Sequence, residues 1–297
     1  VGYEPAALDP LHVDAWGWLK PLVISDPQQE YVFKLGQASG FPGGEGVYRG
    51  AKIELADSII SLAASVWQGA AYWWGGRAAS ANALMTTAAP IQIPAGGATL
   101  AYDAAYGLEA EADFLWTQVS TDGATWQTLT NANTTCSHAP GWIGESNGFP
   151  QDLCAAGIGG LTGYNASFPA PDAQTFDLSA FAGQAVFVRL WHMTDAVATL
   201  DGPFIDNIKV MAGETGLFAD DAEAAAPLWT YAAPWQMSNG SQTFAHSYYL
   251  QWRNTGATGG YDSALGDARA PNGPANSGLL VWYHNTRYAD NQIANYL

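Results

Sequence analysis

Two well-separated segments constrain the fold of this chain more than any figure of composition. In residues 106–126, Leu115-Trp-Thr-Gln-Val-Ser120 alternates in side-chain character, and Asp122-Gly123 follows with the residue pair of a tight hairpin turn. In residues 186–210, the runs Val186-Phe-Val-Arg-Leu-Trp191 and Phe204-Ile-Asp-Asn-Ile-Lys-Val210 are rich in β-branched and aromatic residues and are separated by turn residues. Each segment reads as strands. Together they read as two halves of one jelly-roll sandwich with acidic loops.

The rest of the chain fits an all-β class. Residues 47–55, residues 58–67 and Ala98-Thr-Leu-Ala-Tyr-Asp103 are further strand candidates. Few long segments lack Gly, Pro or β-branched residues, and only residues 78–85 offer a short helix. Residues 30–35 form one strand pattern in an N-terminal stretch too short to be a domain. Residues 220–226 are acidic and small, the composition of an exposed linker. Beyond them come two aromatic strand patterns, Ser247-Tyr-Tyr-Leu-Gln-Trp-Arg253 and Gly278-Leu-Leu-Val-Trp-Tyr-His284, joined by a Gly/Pro/Asn-rich connection. The expected division is 1–45 as the tail of an upstream domain, 46–212 as a jelly-roll β-sandwich, and 213–297 as a C-terminal β-rich segment.

Charge narrows the partners. The 297 residues hold 27 acids against 10 bases, a formal charge of −17. Such a surface argues against nucleic acid or an anionic membrane as partner. No apolar run free of turn signals approaches the ~18 residues of a membrane span. The acids serve solubility, or some of them are calcium ligands.

The C-terminal strand patterns carry a resemblance. Tyr248-Tyr-Leu-Gln-Trp-Arg-Asn254, Gly260-Tyr-Asp-Ser-Ala-Leu265, Gly278-Leu-Leu-Val-Trp-Tyr-His-Asn285 and Tyr288-Ala-Asp-Asn291 resemble strand signatures of immune-inhibitor-A-like metallopeptidases, the M6 group. Residues 67–210 are similar to that family's β-sandwich, which itself resembles MAM-type domains. Leu200-Asp201-Gly202 corresponds to the family's Val-Glu-Gly-like turn with only its acid and glycine kept, and Asp14-Ala-Trp-Gly-Trp-Leu19 resembles the close of its catalytic domain. The resemblance implies an exported protease, extracellular localisation and structural calcium. The zinc motif is missing, however. Zinc peptidases of this kind need two His one helical turn apart and a Glu that activates the metal-bound water. His12, His138, His192, His246 and His284 are scattered, and none is followed by Glu in that pattern. Zinc would therefore belong only to an upstream domain.

Several constellations carry chemistry. Glu109, Glu111 and Asp113 precede one strand, and Asp195, Asp201 and Asp206 flank another. A calcium ion takes roughly six to eight oxygens, which jelly rolls supply from loops at one sandwich edge. The competing role is turn chemistry, since Asp opens loops and accepts from backbone amides. Asp113 and Asp206 are the strongest candidates, because each stands beside apolar neighbours where a bare charge is costly. Thirteen Trp are present. Trp73, Trp74 and Trp142 fall near Gly or Pro and are candidates for loop aromatics that stack on a ligand, as are Trp229 and Trp235. Trp116, Trp126, Trp191, Trp252 and Trp282 alternate as core residues. His192 and His284 read as hydrogen-bonded structural side chains. Cys136 and Cys154 are the only cysteines. In an exported chain they form a disulfide contributing about 3 kcal/mol, the alternative being two buried thiols.

These readings converge on a non-catalytic accessory region of a secreted M6-like zinc metallopeptidase, held by calcium. Its partners would be an upstream catalytic domain and, through it, protein substrate. Two alternatives are a stand-alone extracellular sandwich that binds carbohydrate or protein, and a subunit of an extracellular assembly that pairs strand edges with neighbouring subunits.

Overall fold

The computed structural model describes residues 9–38, 45–140, 142, 152–223, 228–255, 262 and 276–288. A short helix, α1 (Pro10–Ala15), opens them, with Pro at its first turn and Asp9 as N-cap accepting from the His12 amide. The strands follow in order: β1 (Leu22–Ile24), β2 (Lys34–Leu35), β3 (Val47–Tyr48), β4 (Ala51–Glu54), β5 (Ser58–Ser61), β6 (Tyr72–Trp74), β7 (Asn82–Thr87), β8 (Ile91–Gln92), β9 (Thr99–Gly107) and β10 (Phe114–Ser120). Then come β11 (Gln127–Leu129), β12 (Asp172–Asp177), β13 (Ala185–Met193), β14 (Gly202–Ala212), β15 (Thr215–Asp220), β16 (Trp229–Tyr231), β17 (Gln236–Ser238), β18 (Ser241–Phe244), β19 (His246–Arg253) and β20 (Gly278–Asn285).

The chain divides into two units, Ser61–Gln242 and the pair Val1–Ile60 with Thr243–Leu297. The first is a β-sandwich. One sheet runs β11-β10-β13-β7-β16 with β8 against β13, and the other runs β12-β9-β14-β6-β17 with β15 against β14. Alternate residues of both face a shared core: Leu115, Val119, Val188 and Leu190 from one, Leu100, Tyr102, Phe176 and Val210 from the other. The β10–β11 hairpin turns where expected. Gly123 has φ 72°, and Asp122 Oδ1 accepts from the Ala124 and Thr125 amides. Those bonds, with one from Ser120, hold the Asp122 carboxyl well below the usual carboxylate range.

Every residue of β10 is buried, which alternation alone does not predict. Its core-facing side chains meet the opposite sheet. Its outer residues, Phe114 and Trp116, are covered by Trp142, Leu153 and Cys136 of the loop that the Cys136–Cys154 disulfide closes. A third cluster, Tyr72, Trp74, Ala105 and Phe204 with Leu62, packs the outer face of the second sheet.

The sandwich does not end at residue 212 as expected. Strands β15, β16 and β17 complete its sheets. Asp220, expected in an exposed linker, is buried, and its Oδ2 accepts from the indoles of Trp73 and Trp229 at 2.6 Å each. Those two indoles belong to opposite sheets, so one carboxylate fastens both. Residues 78–85 are not helical: they run through a turn into β7, which begins at Asn82 and pairs with β13. The strand patterns at 30–35, 47–55 and 58–67 yield only β2, the split pair β3 and β4, and β5.

In the second unit the N-terminal and C-terminal stretches share one sheet, ordered β1-β4-β19-β20. Expectation had placed them in separate domains. Strand β4 pairs antiparallel with β19, and Asp14 accepts from the Tyr249 hydroxyl at 2.7 Å, which ties α1 to β19. Trp252 and Trp282, expected in the core, are 40% and 38% exposed. Of the C-terminal signatures, residues 260–265 other than Asp262 and residues 289–291 lie outside the described residues.

Candidate metal centre

Glu109 and Asp113 bracket a tight turn between β9 and β10, and Asp195 follows β13, the neighbour of β10. Pairing of those two strands sets Phe114 opposite Met193, which carries the acid before one and the acid after the other to the same end of the sheet. One carboxylate oxygen each of Glu109, Asp113 and Asp195 lies within 4.8 Å of the other two. Ligand oxygens sit about 2.3–2.6 Å from calcium, so oxygens around one ion are separated by about this span.

The electrostatics fit a cation. Asp113 is 1% exposed. Its Oδ1 accepts from the Asp195 amide at 2.9 Å, and its Oδ2 lies 3.4 Å from the Glu109 amide. Burial, with the charges of Asp195 and Glu109, outweighs those bonds and pushes its carboxyl up to about 6. Glu109 Oε2 is buried without a hydrogen-bond partner. Among the described residues none of the three forms an ion pair with Lys or Arg. A set of hard oxygens short of positive charge suits calcium better than zinc.

Not every acid expected at this edge belongs to the trio. Glu111 sits in the left-handed region at φ 64°, with its Oε1 accepting from the Ser137 hydroxyl at 2.5 Å and its carbonyl from the Ala139 amide at 2.9 Å. Asp201 pairs with Arg77. Asp206 is 1% exposed on β14, opposite Asp103 of β9 and in the other sheet. Burial, and then the charges of Asp103, Glu223 and Asp221, push its carboxyl up to about 7. Glu109, a lesser candidate by sequence, joins the trio because the turn folds it back over Asp113, whose amide bonds the Glu109 carbonyl.

The aromatic candidates are corrected. Trp73 and Trp74 lie in β6 and Trp142 packs on Phe114 and Trp116; all three are buried, as are Trp229 and Trp235, so none offers a face to a sugar. Small neighbours had suggested loops, but Gly75 and Gly76 follow a strand whose indoles face inward on both sides. His192 is fully buried, with Nδ1 bonded to the Gly75 carbonyl at 2.9 Å; burial pushes it down to about 4, so it is neutral. Among the described residues no histidine joins a metal-ligand cluster.

The disulfide braces the acidic turn. The loop it closes spans 18 positions and supplies Ser137 and Ala139 to Glu111, and its Trp142 indole donates to the Ala112 carbonyl at 3.1 Å. Replacing both cysteines by serine is expected to lower unfolding free energy by about 3 kcal/mol, and to loosen the acidic turn that the loop braces. Urea denaturation with and without calcium checks this. A variant that loses stability but binds calcium unchanged would separate loop from turn.

The raised Asp113 carboxyl gives a signed pH effect in chelator. Between about 4 and 6 the folded state holds a proton that the unfolded chain has released, so stability falls as pH rises through that window and is level above it. The penalty attributable to Asp113 grows by about 1.4 kcal/mol from pH 5 to pH 8. Relative to wild type, Asp113→Asn should therefore gain by that amount over the same range, as read by urea denaturation. A constant difference would mean that Asp113 titrates normally.

Comparison with known proteins gives one family match. The description "Immune inhibitor A-like, MAM domain" fits residues 61–234, nearly the whole sandwich. Immune inhibitor A of Bacillus thuringiensis subsp. alesti is 37% identical over 121 residues, covering 40% of this chain and 16% of that protein. The pre-pro-metalloprotease PrtV of Vibrio cholerae serotype O1 is 33% identical over 129 residues in each of two strains, covering 42% of this chain and 13% of that protein. The matched part thus spans under a fifth of either relative.

Proposed function

The chain belongs to the immune inhibitor A-like MAM domain family, and on that premise we propose that it is a non-catalytic accessory region of a secreted M6-type zinc metallopeptidase, stabilised by calcium. The observation that carries the calcium part is the convergence of Glu109, Asp113 and Asp195. The ion would neutralise three carboxylates and fasten the turn before β10 to the end of β13. It would add to the fold only the free energy of its own binding. The chain's part is to hold that turn, through the disulfide loop and through Thr162, whose Oγ1 accepts from the Glu111 amide and donates to the Glu109 carbonyl.

The protease part rests on the relatives' names and on exposed apolar surface. Trp16 and Trp18 are 54% and 67% exposed, and Leu279, Val281 and Tyr283 of the edge strand β20 are about as open. Exposed apolar side chains of this kind suit a docked partner, here the catalytic domain, whose stability and substrate access the region would shape. Among the described residues no helix is long and apolar enough to cross a membrane. The test uses the full chain with the separately produced catalytic domain of a family protease. Alone, the chain should leave casein intact. Added to the catalytic domain, it should lengthen the half-life of activity on warming, and Trp18→Ser should weaken that protection. Chelator-sensitive hydrolysis by the chain alone would sink the non-catalytic reading. An unchanged half-life would sink the stabilising one.

A further inference from the structure

The turn that leaves the edge strand β17 reads Ser238-Asn-Gly-Ser241. Asn239 is exposed there, and Gly240 sits in the left-handed region at φ 82°. An asparagine side chain in a turn commonly bonds the backbone two residues on. Asn239 does so: its Oδ1 accepts from the Ser241 amide at 3.2 Å and from the Ser241 hydroxyl at 2.7 Å. A backbone amide can only donate, so the atom that meets it is the carbonyl oxygen and not Nδ2.

This geometry prepares a reaction within the chain. To reach Ser241, the side chain folds back along the Asn239–Gly240 peptide, which brings its Cγ to the side of the Gly240 nitrogen. Gly240 has no Cβ to shield that nitrogen. Its N–H donates to Ser238 Oγ at 3.2 Å, the long end of the hydrogen-bond range, and is easily released. The Gly240 carbonyl accepts from the Leu62 amide at 2.9 Å, which fixes the peptide unit that follows. Two donors on Oδ1 stabilise the negative charge that develops on that oxygen when its carbon is attacked. Two other asparagines lack a part of this set. Asn131 Oδ1 accepts from the Asn133 amide in the same way, but Ala132 follows it and Gln174 holds its Nδ2. Asn165 is buried, with Oδ1 taken by the Tyr106 amide and Nδ2 by Ala170 and Asp172.

We propose that Asn239 is a site of self-modification, converted by the Gly240 nitrogen into a cyclic imide and then by water into aspartate and isoaspartate. The Gly240 nitrogen gives its proton to hydroxide and bonds to Asn239 Cγ. The carbonyl electron pair moves onto Oδ1, where Ser241 holds it, and returns as the Cγ–Nδ2 bond breaks. Nδ2 takes a proton from water and leaves as ammonia. Water then opens the imide, giving aspartate by attack at Cγ and isoaspartate by attack at the Asn239 main-chain carbonyl. Either product adds a negative charge to a chain already at −17, beside Gln236, Met237 and Gln242, which line a shallow concavity with Asn239. The site stands on its own contacts and does not depend on the protease reading.

The test is peptide mapping by mass spectrometry, with enzymatic detection of isoaspartate, on the full chain aged at pH 8 either folded or held in urea. Folded wild type should convert at Asn239 faster than the unfolded chain, and faster at pH 8 than at pH 6, with Asn131 and Asn165 intact. Ser241→Ala removes the hydroxyl donor and should slow conversion by about two- to tenfold, the worth of one hydrogen bond. Ser241→Thr keeps the hydroxyl and should restore the rate. Asn147-Gly148 and Asn272-Gly273 lie outside the described residues and are remote from Ser241 in sequence, so they should convert alike in wild type and both variants. The proposal is overturned if folded Asn239 converts no faster than in the unfolded chain, or if Ser241→Ala converts as fast as wild type.

Discussion

Gly202→Ala should cost about 3–5 kcal/mol, the sum of a left-handed backbone penalty and a steric clash. Gly202 has φ 77°, where a side chain is strained, and a Cβ there would stand 2.1 Å from the Gly76 carbonyl oxygen. Neither partner can give way cheaply. Gly202 begins β14, and Gly76 lies just past β6, its neighbour in the sheet. The preceding residue is fixed as well, since the Asp201 carbonyl accepts from the Trp74 indole at 2.9 Å and its side chain pairs with Arg77. Urea denaturation of Gly202→Ala should show this loss. A loss under about 1 kcal/mol would mean that the Gly76 segment moves freely. The result also bears on the Leu200-Asp201-Gly202 turn. Its acid and glycine, the two features kept from the family pattern, hold the start of β14 against the end of β6 and bind no ligand of the acidic trio.

Asp262→Ala should destabilise the unit containing β19 by about 3–5 kcal/mol, the usual cost of leaving one member of a buried ion pair. Arg253 and Asp262 side chains are 5% and 0% exposed and meet at 2.8 Å, while Arg253 Nη2 also donates to Gln251 at 2.8 Å. Alanine at 262 strips the guanidinium of its carboxylate where water does not compensate. Asp262→Asn keeps an acceptor and should cost less. The double replacement Arg253→Leu with Asp262→Leu should recover much of the loss, since no charge then stays buried. Urea denaturation checks the series. An Asp262→Ala loss within about 0.5 kcal/mol, the range of surface substitutions, would contradict the buried pairing.

The sandwich was legible because its longest strands announce themselves. β9, β10, β13 and β14 combine alternation or β-branched runs with turn residues at their ends, and the Asp122-Gly123 hairpin follows from local chemistry alone. The disulfide followed from counting cysteines and from the exported character that the resemblance implies. The boundaries were not legible. Strands β16 and β17 are short, and the buried role of Asp220 at the end of β15 depends on indoles 147 and 9 positions away. The sheet joining β4 to β19 pairs residues from opposite ends of the chain, which no local pattern reports.

At the candidate site the residue types were legible and the grouping was not. Asp113 stood out by its apolar neighbours, but its association with Glu109 and Asp195 needs the β10–β13 register. Glu111 and Asp201 look equivalent to them in sequence, yet a hydroxyl and a guanidinium take them up. The tryptophans misled because adjacent glycines mark loops in most strand-poor stretches, whereas here they mark the end of a strand buried on both faces.

The decisive measurement is the calorimetric melting temperature of the chain at pH 8, in chelator and across a calcium series. Binding to the folded state should raise stability by about 2.7 kcal/mol at a hundred times the dissociation constant. The melting temperature should therefore climb by several degrees and keep climbing with calcium, less steeply in Asp195→Asn. A melting temperature that is the same in chelator and in saturating calcium would contradict the calcium-held accessory domain.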